Sequence, residues 1–85
     1  MNERALTATV HQAIAAAAAD QPGLAVGSIQ ATRGWGDILF VRVQVRLRGG
    51  PSAEVRAAME HRFQTAVREA LDGERSTVSV TWTSD

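Results

Sequence analysis

Apolar residues recur along this chain with two different periods, and the two periods predict helices and strands. In residues 3–20 an apolar side chain returns every three or four positions, which is the spacing of one face of an α-helix. The same spacing covers residues 53–71, and Ser52 just before them is a suitable N-cap. The two apolar stripes consist of Leu6, Val10, Ala13, Ile14 and Ala17, and of Val55, Met59, Phe63, Ala66, Val67, Ala70 and Leu71.

Three other segments alternate between apolar and polar residues, as strands with one buried face do. Residues 38–48 and 77–83 alternate regularly, whereas residues 24–33 do so imperfectly, and Gly27 predicts a bulge or a close backbone approach there. Residues 34–37 predict a hairpin turn in which Gly34 and Gly36 can both take a positive φ. The inward sets of the two regular strands are Leu39, Val41, Val43, Val45 and Leu47, and Val78, Val80 and Trp82.

The order helix, strand, strand, helix, strand predicts a single α+β domain spanning residues 1–85. Two one-sided helices and three one-sided strands bury their apolar faces most economically when both helices cover the same face of the sheet. We therefore expect a ferredoxin-like αββαβ two-layer sandwich with a three-stranded sheet, lacking the first strand of the ferredoxin-like fold. Such a sheet has two edges, which invite pairing or shielding by a partner.

Length and composition restrict what the domain can do. A chain of 85 residues buries only about 60% of its unfolded surface, and pairing with a second copy is a common way to gain buried area. With no cysteine the chain has no disulfide, thiolate nucleophile or zinc-thiolate site. Its formal net charge of zero disfavours nucleic acid as a partner. Because the most apolar run, residues 13–19, is too short to span a bilayer, we expect no membrane insertion and a cytoplasmic location.

No motif typical of an enzyme is present, and we expect neither catalysis nor a cofactor. The chain has no GxSxG, HExxH, P-loop or dinucleotide-binding fingerprint. For a divalent metal the candidate ligands are His11, His61 and Glu60. Neither histidine has a second ligand four residues on, and Glu60 points about a quarter-turn away from His61. A structural or solvent-facing role is therefore the stronger interpretation of both histidines.

A surface for a partner is the most specific functional prediction. Trp35 at the hairpin tip either folds back over the sheet edge or stands exposed as an anchor for a protein partner. On the polar sheet face Phe40 lies among arginines, with Arg33 nearby, so the face is either a nucleic-acid platform or a solvated or dimer-buried surface, and the second interpretation is favoured. The predicted partner or dimer interface comprises Trp35, Phe40, Arg42, Gln44, Arg46 and Trp82.

Over residues 6–83 the sequence resembles the cytoplasmic C-terminal domain of cation diffusion facilitator transporters. The resemblance is carried by Gln21-Pro22-Gly23-Leu24, by residues 26–29, by the strand entry 36–43, by a helix after Ser52 and by the closing strand 78–82. It implies an αββαβ fold, homodimerisation and, in the transporters, a metal-responsive change in the dimer. Where the family often places metal ligands, this chain has Gly27-Ser28, Arg56 and Thr81-Trp82-Thr83.

From residue 48 to residue 80 the chain also resembles the alkaline-shock family of small envelope-stress proteins. Those proteins usually carry a longer insert before the long strand, where this chain has only a tight hairpin, and this favours the first resemblance. The leading hypothesis is a stand-alone, non-catalytic homodimerisation or regulatory domain without the family's usual metal ligands. The alternatives are an alkaline-shock-type scaffold and a small metal-binding or nucleic-acid-binding module.

Overall fold

A computed structural model describes residues 3–83, and it contains every predicted helix and strand within one or two residues of the predicted ends. Helix α1 spans Glu3–Ala19 and helix α2 spans Ala53–Ala70. Strands β1, β2 and β3 span Leu24–Arg33, Leu39–Leu47 and Ser76–Trp82. The Ser52 hydroxyl accepts a hydrogen bond of 3.1 Å from the backbone N–H of Val55, which confirms the predicted N-cap of α2.

The sheet has the order β1-β2-β3, so that β2 is central and β1 and β3 are its edges. Strand β1 pairs antiparallel with β2 through the hairpin, and β3 pairs parallel with β2 after the crossover through α2. Both helices pack on one face of the sheet, while the outward residues of all three strands are exposed. The predicted ferredoxin-like αββαβ sandwich is thereby confirmed.

The core lies between the helix layer and the sheet, where the predicted apolar sets meet. Every inward residue of β2 is buried, and Phe63 of α2 and Ile14 of α1 are among the largest fully buried side chains. Among the residues that the structure describes, none that is polar or charged is buried. The remaining buried members of this cluster are Leu6, Val10, Ala17, Ala18, Met59, Val67 and Leu71.

The predicted hairpin connects β1 to β2, and its turn is helical. Residues Trp35–Asp37 form one turn of 3-10 helix, closed by hydrogen bonds from Ile38 N–H to Trp35 C=O (3.1 Å) and from Gly34 N–H to Ile38 C=O (2.8 Å). Gly36 and Asp37 take positive φ values of 63° and 61°, but Gly34 has φ −123°. Of the two glycines that could take a positive φ, only Gly36 does so, and the second left-handed residue is Asp37, a residue type that tolerates this conformation.

The predicted irregularity in β1 is a β-bulge. Val26 pairs with Val45 and Ile29 with Val43, so Gly27 and Ser28 together oppose the single residue Gln44. A bulge leaves the extra residue unpaired and increases the local twist of its strand. It therefore interrupts the regular outer edge of β1.

Candidate interaction surface

The sheet face that points away from the helices is left uncovered by the fold. Its rows are set by the strand register, which aligns Phe40 of β2 with Thr32 of β1 and Thr77 of β3. In the next row, Arg42 lies between Gln30 of β1 and Ser79 of β3. Further along the face, Gln44 pairs with Thr81 and Arg46 pairs with Ala25.

Charge is distributed unevenly between the two layers of this formally neutral chain. The outward strand positions carry Arg42 and Arg46, and none of them in residues 3–83 carries an aspartate or glutamate. The acidic residues of the described chain lie instead on the helices, in the turns and in the loop before β3. They are Glu3, Asp20, Asp37, Glu54, Glu60, Glu69, Asp72 and Glu74. The sheet face is thus a cationic, hydrogen-bonding surface.

An aromatic pair occupies the hairpin end of this face. Trp35 is 91% exposed and Phe40 is 45% exposed, and these two are the exposed large hydrophobic residues of the described chain. Of the two interpretations of Trp35, the exposed one fits the structure, since its side chain does not fold back over the sheet edge. The ring of Phe40 lies against the backbone of Gly34, so closely that a Cβ at Gly34 would overlap the ring.

Between Phe40 and Arg42 the face has a depression of about 360 Å³. Its walls come from all three strands, and apart from the Phe40 ring its outward-pointing side chains all offer hydrogen-bond donors. The residues around it are Gln30, Thr32, Phe40, Arg42, Thr77 and Ser79.

Two residues considered for this face lie on its opposite side. Trp82 alternates with Val78 and Val80, is half-buried beneath the sheet, and donates a hydrogen bond of 3.3 Å from Nε1 to Glu60 Oε1. Arg33 also points to the helix side, where its guanidinium donates to Asp37 C=O (3.1 Å) and pairs with Glu74 at 3.3 Å. Neither residue can share one surface with Arg42.

Each edge of the sheet is obstructed over part of its length. The bulge interrupts β1, and at β3 the side chain of Gln64 takes the place of a neighbouring strand. Its amide donates from Nε2 to the C=O of Ser76 (3.2 Å) and accepts at Oε1 from the N–H of Val78 (2.9 Å). These two backbone groups point away from β2, where an added strand would otherwise pair with them.

Sequence reasoning missed Gln64, because a polar residue beside an apolar helical stripe is ordinary. Its role depends on a strand that begins 12 residues later in the chain. The available signal was the amide itself, which carries a donor and an acceptor and can match both groups of a strand edge.

The candidate metal ligands are not assembled into one site. His11 lines a surface depression on α1 with Arg4 and Gln12, whereas His61 lines the groove between α1 and α2. Glu60 is engaged by Trp82. Within residues 3–83, no three side chains of the types His, Cys, Asp and Glu are grouped so that they could hold a metal ion. No helix in the same part of the chain is long and apolar enough to cross a membrane.

Two solved structures share this fold. The C-terminal domain of MamB, a magnetosome protein of Desulfamplus magnetovallimortis BW-1, is similar with a TM-score of 0.71 and 21% identity, over 89% of this chain and 93% of that chain. The metal-bound C-terminal domain of the CzcD transporter from Thermotoga maritima has a TM-score of 0.61 and 17% identity, over 95% of this chain and 93% of that chain.

Both proteins belong to the cation diffusion facilitator family, so the resemblance seen in the sequence is confirmed at the level of the fold. No family model matches the sequence, and no curated protein does. The class that the structure defines is therefore an αββαβ domain with the fold of these C-terminal domains.

Proposed function

We propose that this chain is a non-catalytic homodimerisation or regulatory domain that acts in the cytoplasm. The observation that carries the proposal is the exposed pair of Trp35 and Phe40 at one end of an uncovered sheet face. Aromatic anchors that become buried on binding dominate the energetics of protein interfaces, and two exposed aromatic residues at the same end of the sheet suit that role. The shared fold with two C-terminal domains and the family resemblance support dimerisation as the mode of action.

The proposed interface is the hairpin tip and the adjoining sheet face, comprising Trp35, Phe40, Arg42, Gln44 and Arg46. Partial obstruction of both edges, by the bulge and by the Gln64 amide, favours this face over the addition of a strand. A two-fold axis near the aromatic end would pair hydrophobic rings. An axis near Arg42 would instead bring like charges together, because a two-fold contact is self-complementary.

We also propose that the chain holds no metal at the position used by the resembling family. At the corresponding positions it carries Gly27-Ser28, Arg56 and Thr81-Trp82-Thr83, whose side chains are poor ligands for a transition metal. The metal-bound state belongs to the CzcD domain. Dimerisation of this chain would then be independent of zinc.

Light scattering and sedimentation equilibrium over a concentration series, with and without zinc, test these proposals. We expect a dimer whose dissociation constant rises at least about 30-fold in Trp35→Ala, since an anchor residue contributes about 2 kcal/mol or more. Phe40→Ala should weaken the dimer in the same direction. Gln12→Ala, at an exposed position on α1, is the control, and its solution mass at each concentration should equal that of the wild type.

Three results would contradict these expectations. A wild-type chain that is monomeric at every concentration would exclude homodimerisation. A dimer unaffected by both aromatic variants would exclude the proposed face. A solution mass that changes when zinc is added would show that metal acts on assembly. His11, His61 and Glu60 would then be the candidate ligands to test. Circular dichroism of each variant ensures that a lost dimer is not a lost fold.

A further inference from the structure

The part of the sheet face around Arg42 has a composition that self-association does not explain. Side chains from three strands surround a depression in which Arg42 is the charged group. Its neighbours Gln30, Thr32, Thr77 and Ser79 are neutral hydrogen-bonding residues. No carboxylate on this face, within residues 3–83, neutralises the guanidinium.

Charge complementarity identifies the kind of group that fits this depression. An arginine guanidinium presents a planar set of donors that matches a carboxylate, and hydroxyl and amide groups beside it can donate further hydrogen bonds. Within residues 3–83, the same face of a second copy offers arginines and neutral groups and no carboxylate. A ligand that neutralises Arg42 would therefore be anionic and would come from a different surface.

The position of Phe40 indicates which kind of anionic ligand fits the face. Phe40 and Arg42 are two residues apart on β2 and point to the same side, so their Cα atoms are about 6.6–6.8 Å apart. Alternate side chains of an extended polypeptide have the same spacing. A segment lying along β2 can thus place an apolar side chain on Phe40 and a carboxylate over Arg42.

We propose that this sheet face binds an extended acidic polypeptide segment in which acidic and apolar residues alternate. Arg42 pairs with a carboxylate of the segment, the polar groups around it complete the hydrogen bonding, and Phe40 contacts the adjoining apolar side chain. The site shares Phe40 and Arg42 with the proposed dimer interface, so the segment and a second copy of the chain would compete for this face. Binding of the segment does not require a dimer.

The number of charges in the depression favours a polypeptide over a nucleic acid. Binding to a nucleic acid depends on several phosphate contacts, whereas the depression contains one arginine. One carboxylate of a polypeptide is sufficient to pair with Arg42.

Fluorescence anisotropy with the full 85-residue chain tests this proposal. The probe is a fluorescein-labelled nine-residue peptide in which glutamate alternates with phenylalanine, compared with the same peptide carrying glutamine in place of glutamate. We expect the acidic peptide to bind at least about tenfold more tightly than the neutral one. Arg42→Glu should abolish the difference, and Arg42→Lys should retain part of it because the charge remains without the planar fork.

Arg56→Glu is the matched control, because it makes the same change of charge at an exposed position on α2. It should leave the affinity for the acidic peptide unchanged. Equal binding of the two peptides, or an Arg42→Glu variant that binds like the wild type, would overturn the proposal. Tighter binding of a single-stranded oligonucleotide or of inorganic phosphate than of the acidic peptide would show that the ligand class is wrong.

Measurement of mass on the same samples separates this proposal from the dimerisation proposal. A monomeric chain that discriminates between the peptides would support the peptide site and contradict dimerisation. A dimer that binds neither peptide would support dimerisation and contradict the peptide site.

Discussion

Replacing Gln64 tests how the outer edge of β3 is stabilised. In Gln64→Ala the helix keeps a residue that favours helical structure, but the N–H of Val78 and the C=O of Ser76 lose their partners. Both groups lie on the outer side of β3, where no strand replaces the amide. We expect the variant to fold with reduced stability and with an exposed strand edge.

The size of the effect follows from two hydrogen bonds of 3.2 and 2.9 Å in partly buried surroundings. Each contributes about 0.5–1.5 kcal/mol net to folding, so their loss lowers the free energy of unfolding by about 1–3 kcal/mol. The lower half of that range is expected, because water can reach the freed backbone groups. In a domain of this size about 1 kcal/mol corresponds to a shift in Tm of about 4–8 °C.

Thermal and urea unfolding followed by circular dichroism measure this loss at one fixed protein concentration. Gln12→Ala removes the same side chain from an exposed position on α1 and should change the stability by less than about 0.5 kcal/mol. Gln64→Glu keeps the acceptor for Val78 N–H but places a carboxylate beside the C=O of Ser76, so it should be at least as destabilising. Amide hydrogen exchange provides a local readout, since the Val78 amide should exchange faster in Gln64→Ala.

The reasoning would be refuted if Gln64→Ala were as stable as Gln12→Ala and the exchange of the Val78 amide were unchanged. A variant that gains mass at high concentration would support the role of Gln64 in protecting the edge, because an unpaired edge strand is a template for another chain.

Two further substitutions test local features of the fold. Ser52→Ala removes the hydroxyl that accepts from Val55 N–H and should lower the free energy of unfolding by about 1 kcal/mol in urea titrations, whereas Ser52→Asp should restore it; equal stability of the alanine and aspartate variants would contradict the cap. Gly34→Ala should destabilise the wild-type chain by displacing the Phe40 ring but should have little effect in a Phe40→Ala background, and an additive double-mutant cycle would show that the two residues do not interact.

The sequence contained enough information to predict the elements and the layer arrangement. Strand β2 could be placed because its strict alternation is compatible with only one periodicity, and α2 because Ser52 and the apolar stripe agree on its start. The outward positions of Phe40, Arg42, Gln44 and Arg46 followed from the same alternation. The local sequence pattern is sufficient to predict which way a side chain points where the apolar residues recur with one clear period and one face of the element is buried.

Features that depend on pairs of distant residues were not predictable in this way. The packing of Phe40 on Gly34 and of Gln64 on β3 involves contacts across the hairpin and between layers. Trp82 lies on the inward side of β3, as its alternation with Val80 predicted. Its role at a partner interface stays a prediction, since the strand pattern gives the side of the sheet and not the partner.

An exposed aromatic residue alone is a weak indication of function, since many proteins expose single apolar side chains. At the hairpin end of this sheet two large hydrophobic side chains, Trp35 and Phe40, are both exposed. A Cβ at Gly34 would overlap the ring of Phe40, so a side chain at Gly34 would require this ring to move. The double-mutant cycle of Gly34 and Phe40 therefore measures whether the ring is held in its half-exposed position. An anchor for a partner needs a fixed position, whereas a solvated side chain does not.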